Sequence, residues 1–219
     1  MAEITGSPPR KRRGLGRLRL LVSVVGVLLI VAGVAVVAVP LLQVWQRGRA
    51  DDRALQDWNG GGSANLQGAA GDSHDPLPAS TCGGTAGAGG AYALVTFPSL
   101  TQYRYAGVAG DGTWDMLKDR SMVHYQTTPA PGAQGNVIIA FHREPNFEHI
   151  DQLGVGAEVD VQDRSCQVWH YRVTERQTLD PEKLTQLVQT GGHDLTLVTC
   201  TPWYMDTQRI VWRAQLVQG

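Results

Sequence analysis

The chain has 219 residues and a formal net charge of −1, which suits one domain with accessory segments. That balance averages over segments of very different character and gives no reason to expect a nucleic-acid partner. The three cysteines, Cys82, Cys166 and Cys200, leave at least one thiol unpaired or paired between chains.

The first 19 residues form a basic tail, with Arg10, Lys11, Arg12, Arg13, Arg17 and Arg19. An uncharged apolar run follows from Leu20 to Leu42. At about 1.5 Å per residue it is long enough to span a hydrocarbon core of roughly 30 Å. It exceeds the apolar region of a cleavable signal peptide, and Pro40 stands where cleavage would be sought. An uncleaved anchor is therefore expected. Arg47, Arg49 and Arg53 follow the span, mixed with Asp51 and Asp52. The basic excess lies before it, so the N-terminus is expected in the cytoplasm and the remainder outside.

Residues 43–91 read as a polar juxtamembrane stretch, able to continue as a short helix, and then a tether of Gly, Ala, Ser and Pro. From Tyr92 short β-type runs alternate with turn signals. "YALVTFPSL" and "YRYAGVAG" come first, then "TWDMLKD" with weak helical spacing and the loop "TTPAPGAQGN". In "NVIIAFH", Val137, Ile139 and Phe141 share one strand face, and Ile138, Ala140 and His142 the other. "NFEHIDQL" has helical spacing, "AEVDVQD" and "CQVWHYRVTERQTL" alternate as strands, and Asp180–Pro181 marks a helix start. "DLTLVTC" and "RIVWRAQLV" are the last strands. About eight strands and one or two short helices in residues 92–219 fit an all-β domain, a small closed or nearly closed barrel.

The last strand pair carries the most chemistry. Thr196, Val198 and Cys200 share a face, as do Arg209, Val211 and Arg213. A hairpin joining the two strands returns Arg209 to the neighbourhood of Cys200. A nearby cation favours thiolate and can stabilise an oxyanion. His142, at the end of an apolar strand, is the candidate acid/base, and His124 its strongest rival; His149, His170 and His193 are weaker. Taken singly, each residue also has a structural reading: a buried small thiol, a solvated arginine, a packed imidazole. A metal site built from His124, His142 and Cys200 lacks a close-spaced ligand pair, and no cofactor is expected. A Cys82–Cys166 disulfide would leave Cys200 free; the sequence leaves that pairing open.

Taken together, Pro131–Gly132, Gly135–Asn136, His142, the segment Thr196–Cys200 and Arg209 resemble the sortases, the bacterial cysteine transpeptidases. The resemblance covers about Tyr92 to Val217, in family order and spacing, and implies a closed eight-stranded sortase-type barrel after a single transmembrane helix. The short stretch from Cys200 to Arg209 looks more like class D, E or F than A or B. By this resemblance Cys200 is the nucleophile, cleaving an LPxTG-like sorting signal between Thr and Gly. His142 is the general acid/base and Arg209 positions the substrate or oxyanion. Thr199 assists at the oxyanion, and His124 lines the groove. The implied partners are proteins with a C-terminal sorting signal, an amine acceptor from a peptidoglycan precursor or a pilin, and the cell membrane.

One departure is Phe141, where the family often has Gly before the histidine; it bears on the groove and the pose of the ring. L,D-transpeptidases place a Ser-x-Gly-Cys segment at the nucleophile, which "LVTCTP" lacks. Papain-like proteases place the Cys before the His, the reverse of the order here. The non-enzymatic alternative is an extracellular β-barrel binding module anchored to the membrane, in which Cys200 would have no unusual reactivity.

Overall fold

The computed structural model describes residues 14–58, 90–183 and 187–218. The chain divides into two units, residues 1–43 and 44–219. The helix α1, Gly14–Trp58, contains the described part of the first and opens the second. In the first unit its leucines, valines and isoleucine between Leu20 and Leu42 are exposed, and α1 is long and apolar enough to cross a membrane.

In the second unit, eight strands close into a barrel. They are β1 (Ala91–Thr96), β2 (Ala106–Gly112), β3 (Met122–Tyr125), β4 (Gly135–Phe141), β5 (Glu158–Gln162), β6 (Val168–Leu179), β7 (His193–Thr201) and β8 (Gln208–Gln218). Around the barrel the order is β1-β2-β3-β4-β7-β8-β6-β5. Neighbours are antiparallel except β2 with β3 and β4 with β7. A parallel pair needs a crossover rather than a tight hairpin. The stretch containing the 3-10 turn Trp114–Lys118 supplies the first, and β5 with β6 supplies the second.

The alternation of apolar residues sets the barrel's two faces. Val137, Ile139 and Phe141 join Leu195, Leu197, Ile210 and Trp212 in the interior cluster. Ala140, Val198 and Val211 instead join Val123 in a second cluster on the outer face, packed by Met116, Leu117, Leu179 and Leu187. The interior is filled by side chains such as Trp212, Tyr171, Phe147 and Met122, as expected of a small barrel.

The closed eight-stranded architecture agrees with the sequence expectation, and several local elements differ. β3 was not anticipated: "MVHY" is only four residues, three of them buried, with no alternation to betray it. The helix expected over "NFEHIDQL" reduces to a 3-10 turn, Ile150–Gln152, with Phe147, Ile150 and Leu153 in the interior cluster; the backbone groups just before it are taken by side chains, Glu148 O by Arg143 Nε and the His149 N–H by Tyr105 Oη. The helix start at Asp180–Pro181 is a turn in which Lys183 N donates to Asp180 O; residues 184–186 lie outside the described residues.

Gly132 in the β3–β4 loop does need to be glycine. Its φ is +78°, and a Cβ there would lie 2.2 Å from the Trp169 ring. Its N–H donates to Tyr171 Oη at 2.7 Å, pinning the loop that leads into β4.

Candidate active site

β4 and β7 run parallel, in register from Gly135 opposite His193 to Phe141 opposite Thr199. Phe141 and Thr199 are on the interior side, since strand side chains alternate and Leu195 and Leu197 are interior. His142 and Cys200, each one residue further, therefore leave the same rim on the outer side. β8 completes the site from the other flank of β7: Cys200 stands opposite Arg209, Val198 opposite Val211, and Thr196 opposite Arg213. The outer apolar cluster of Ala140, Val198 and Val211 leads along the barrel wall to this rim.

The Arg209 guanidinium folds onto the β7–β8 loop, donating to Asp206 O and Gln208 O at 2.9 Å each. Cys200 is a free, half-buried thiol. Burial pushes its pKa up to about 11, against the pull of Arg209; Asp206, as a charge and as a hydrogen-bond partner of the thiol, and the Glu144 carboxylate push the same way as burial. The proton therefore rests on sulfur.

His142 is held below the ordinary imidazole range chiefly by burial. The Leu117 carbonyl opposes that shift, the Arg47 cation adds to it, and Glu144 and Asp206 pull upward. Two groups compete for one ring atom: Nε2 lies 2.8 Å from Arg47 Nη1 and 2.7 Å from Leu117 O. Nε2 can accept from the guanidinium or donate to the carbonyl, never both.

Two charged residues just beyond His142 tie the rim together. Arg143 is only 6% exposed. Its Nε donates to Glu148 O at 2.8 Å, its Nη1 to Thr201 Oγ1 at 3.2 Å, and its Nη2 pairs with Asp151 at 2.6 Å. It thereby joins the end of β4 to the end of β7. Glu144, also 6% exposed, accepts from the Tyr204 N–H at 2.8 Å and so joins the same loop to the β7–β8 loop. The sequence reading passed over Arg143, Glu144, Asp206 and Arg47. The run "HRE" was the available signal, since two charges adjoining a candidate histidine need partners wherever they are buried.

Thr199 is buried and its hydroxyl donates to Phe141 O at 2.7 Å, binding β7 to β4 directly beneath His142 and Cys200. His124 is not brought to Cys200. It follows Val123 by one residue on β3 and so takes the interior side, 2% exposed and stacked on Tyr92 at 4.2 Å. Its Nδ1 faces Asp111 Oδ1 at 2.9 Å and its Nε2 faces Pro129 O at 3.1 Å. Phe141 points away from the rim into the ring cluster of Phe97, Phe147 and Trp212, leaving the outer surface clear. His170 is held by Asp160, and His193 by Gly132 O. Cys166 is disulfide-bonded; Cys82 lies outside the described residues.

These electrostatics make a direct prediction. Alkylation of Cys200 by iodoacetamide, followed by peptide mass spectrometry, is expected to accelerate about tenfold per pH unit from about pH 7 to 10. A plateau below pH 9 would mean that Arg209 outweighs burial, and would refute the upward shift of the thiol.

The family model for the sortase domain matches residues 96–217. No curated protein matches the sequence. Among solved structures, the Clostridium perfringens sortase D5 transpeptidase is 27% identical with a TM-score of 0.53, covering 61% of this chain and 83% of its own. Sortase C1 of Streptococcus agalactiae is 22% identical with a TM-score of 0.51, covering 58% and 67%. A sortase E variant from Streptomyces avermitilis is 24% identical with a TM-score of 0.50, covering 62% and 91%. The likeness thus spreads over several sortase classes. With the family match extending over more than half of its length, and with a closed barrel of the same fold, the chain belongs to the sortase family of cysteine transpeptidases.

Proposed function

We propose that this sortase is a membrane-anchored transpeptidase that cleaves an LPxTG-like sorting signal between Thr and Gly. In this reading residues 1–19 are a cytoplasmic tail and 20–42 the anchor. Residues 43–91 are the juxtamembrane segment and tether, and 92–219 the catalytic barrel outside the membrane. The excess of Arg and Lys before the span supports that orientation. The observation that carries the proposal is the meeting of three residues at one rim: Cys200 opposite Arg209 on paired strands, and His142 at the end of the next strand.

The chemistry starts from a neutral pair. As substrate enters, the Cys200 proton passes to His142, and the sulfur attacks the Thr carbonyl carbon. The tetrahedral oxyanion accepts a hydrogen bond from Arg209. Collapse breaks the Thr–Gly C–N bond, and His142 donates its proton to the departing amine. A thioester on Cys200 remains. The acceptor amine then attacks that carbonyl, loses a proton to His142 and expels the sulfur, which takes that proton back from His142, so one amide is exchanged for another and the neutral pair is restored. Thr199, expected at the oxyanion, and His124, expected in the groove, take positioning parts in this reading instead: the Thr199 hydroxyl is committed to Phe141 O and fixes the spacing of the two reactive strand ends, and His124, committed to Asp111 and Pro129 O, braces β3 and the loop before β4. The acceptor is an amine of a peptidoglycan precursor or a pilin.

The test incubates the full chain in detergent with a library of x-Pro/Ala-x-Thr-Gly peptides and a glycine amine. An acyl adduct on Cys200 together with a transpeptidated product is expected. A folded protein with an intact thiol that yields neither would favour the binding-module alternative.

A further inference from the structure

The barrel unit begins with the last part of α1, and that segment lies on the site. Arg47, Asp51, Leu55 and Trp58 follow one another at helical spacing and share one face. Trp58 is buried against Leu94 and Val108, and its Nε1 donates to Gln162 Oε1 at 3.0 Å. Asp51, buried midway, accepts from Ser121 N at 3.3 Å and Asn146 Nδ2 at 2.9 Å. Gly48 brings the helix close to Pro145, whose Cγ would lie 3.2 Å from an added Cβ. Arg47 ends the row at His142. Ser121, Asn146 and Pro145 all flank the rim, so the segment covers the outer side on which the imidazole lies.

We propose that Val44–Trp58 is a reversible cover of the active site, in which Arg47 occupies the lone pair that lets His142 take the proton of Cys200. The inference rests on the acid/base role proposed for His142. With Arg47 donating to Nε2, the ring proton of the neutral imidazole is on Nδ1, and no lone pair is left for the thiol proton. When Arg47 leaves, Nε2–H turns to Leu117 O, its other neighbour, and the Nδ1 lone pair is freed. The exchange is a change of tautomer driven by one side chain. Arg47 from the helix, Glu144 from the loop after β4 and Asp206 from the β7–β8 loop are the charges acting on the ring. Arg47 alone of these opposes its protonation.

The contact is built to open. Among the described residues, Arg47 Nε, Ser121 Oγ and Gln162 Nε2 are buried in it without a hydrogen-bond partner. Buried polar atoms left unpaired are costly, and undocking returns them to water. Burial also pushes the Asp51 carboxyl upward, against its hydrogen bonds to Ser121 and Asn146, so its charged form gains from release. The barrel keeps its own interior cluster, with no residue of the helix in it.

The test uses the full chain in detergent and reads carbethoxylation of His142 by diethyl pyrocarbonate, which needs an available imidazole lone pair, at peptide resolution. Arg47→Ala is expected to raise the His142 rate about tenfold or more, the scale of one charge-assisted hydrogen bond, with Arg47→Lys intermediate. Trp58→Ala, which loosens the far end of the segment, is expected to raise it as well. His170, held by Asp160 on the barrel wall, should react at an unchanged rate in the same digests and so reports an intact barrel. Equal His142 rates in wild type and Arg47→Ala would overturn the proposal. A faster Arg47→Ala with an unchanged Trp58→Ala would overturn the cover and leave only a local contact. Faster His142 modification without turnover of any sorting peptide would remove the transpeptidase reading and keep the cover.

Discussion

Cys200→Ala is expected to abolish both the acyl adduct and the transpeptidated product, a loss of at least about 10⁴-fold in kcat/KM. The substitution removes a single half-buried sulfur at the end of β7 and no hydrogen bond that holds the barrel together. The thermal midpoint of the barrel is accordingly expected to stay within a few degrees of wild type. Product formation by liquid chromatography and unfolding by tryptophan fluorescence check the two halves. Activity surviving at about 1% or above, in a protein free of wild type, would place the nucleophile elsewhere. A collapse of the midpoint would instead mean that the thiol contributes to packing, which its position on the outer side of the strand argues against.

Arg209→Ala is expected to lower kcat/KM by roughly 10²–10³, the usual consequence of losing one donor to a tetrahedral oxyanion. The effect should fall mainly on kcat if the guanidinium meets the oxyanion. It should fall mainly on KM if it holds the substrate carbonyl before attack. The same substitution removes a cation that opposes burial at Cys200, so the thiol should move further up and alkylation at fixed pH should slow. Arg209→Lys separates charge from geometry. It keeps a cation near the sulfur but loses the guanidinium whose Nη1 now donates to both Asp206 O and Gln208 O. Alkylation of that variant should stay close to wild type while turnover falls. If alkylation and turnover are both unchanged in Arg209→Ala, the arginine has no part in the reaction.

The strands that matter most were legible because they obey a simple rule. Period-two alternation in "NVIIAFH" and "DLTLVTC" divides interior from exterior residue by residue. The observed partition of Val137, Ile139 and Phe141 from Ala140, Val198 and Val211 follows it. The hairpin between Cys200 and Arg209 was legible for the same reason, since both strands must keep their apolar residues inward and few registers allow that. Phe141, which looked like a threat to the groove, obeys the alternation as well and turns inward. The supporting polar contacts were not legible. Arg143 reaches Thr201 across 58 positions and Arg47 reaches His142 across 95. No local pattern encodes such meetings; they exist only after the barrel has closed. β3 escaped because four residues carry too little periodicity to be told from a loop.

The Thr199–Phe141 contact has a practical meaning for anyone preparing the protein. A slip of one residue between β4 and β7 would swing Thr199 outward and drive the Cys200 sulfur into the barrel interior, beyond reach of a reagent in solution. Correct pairing and an accessible thiol are therefore one event. Titrating Cys200 in a refolded sample counts the molecules whose barrels closed in register, so the reactive group doubles as a quality gauge for the scaffold that carries it.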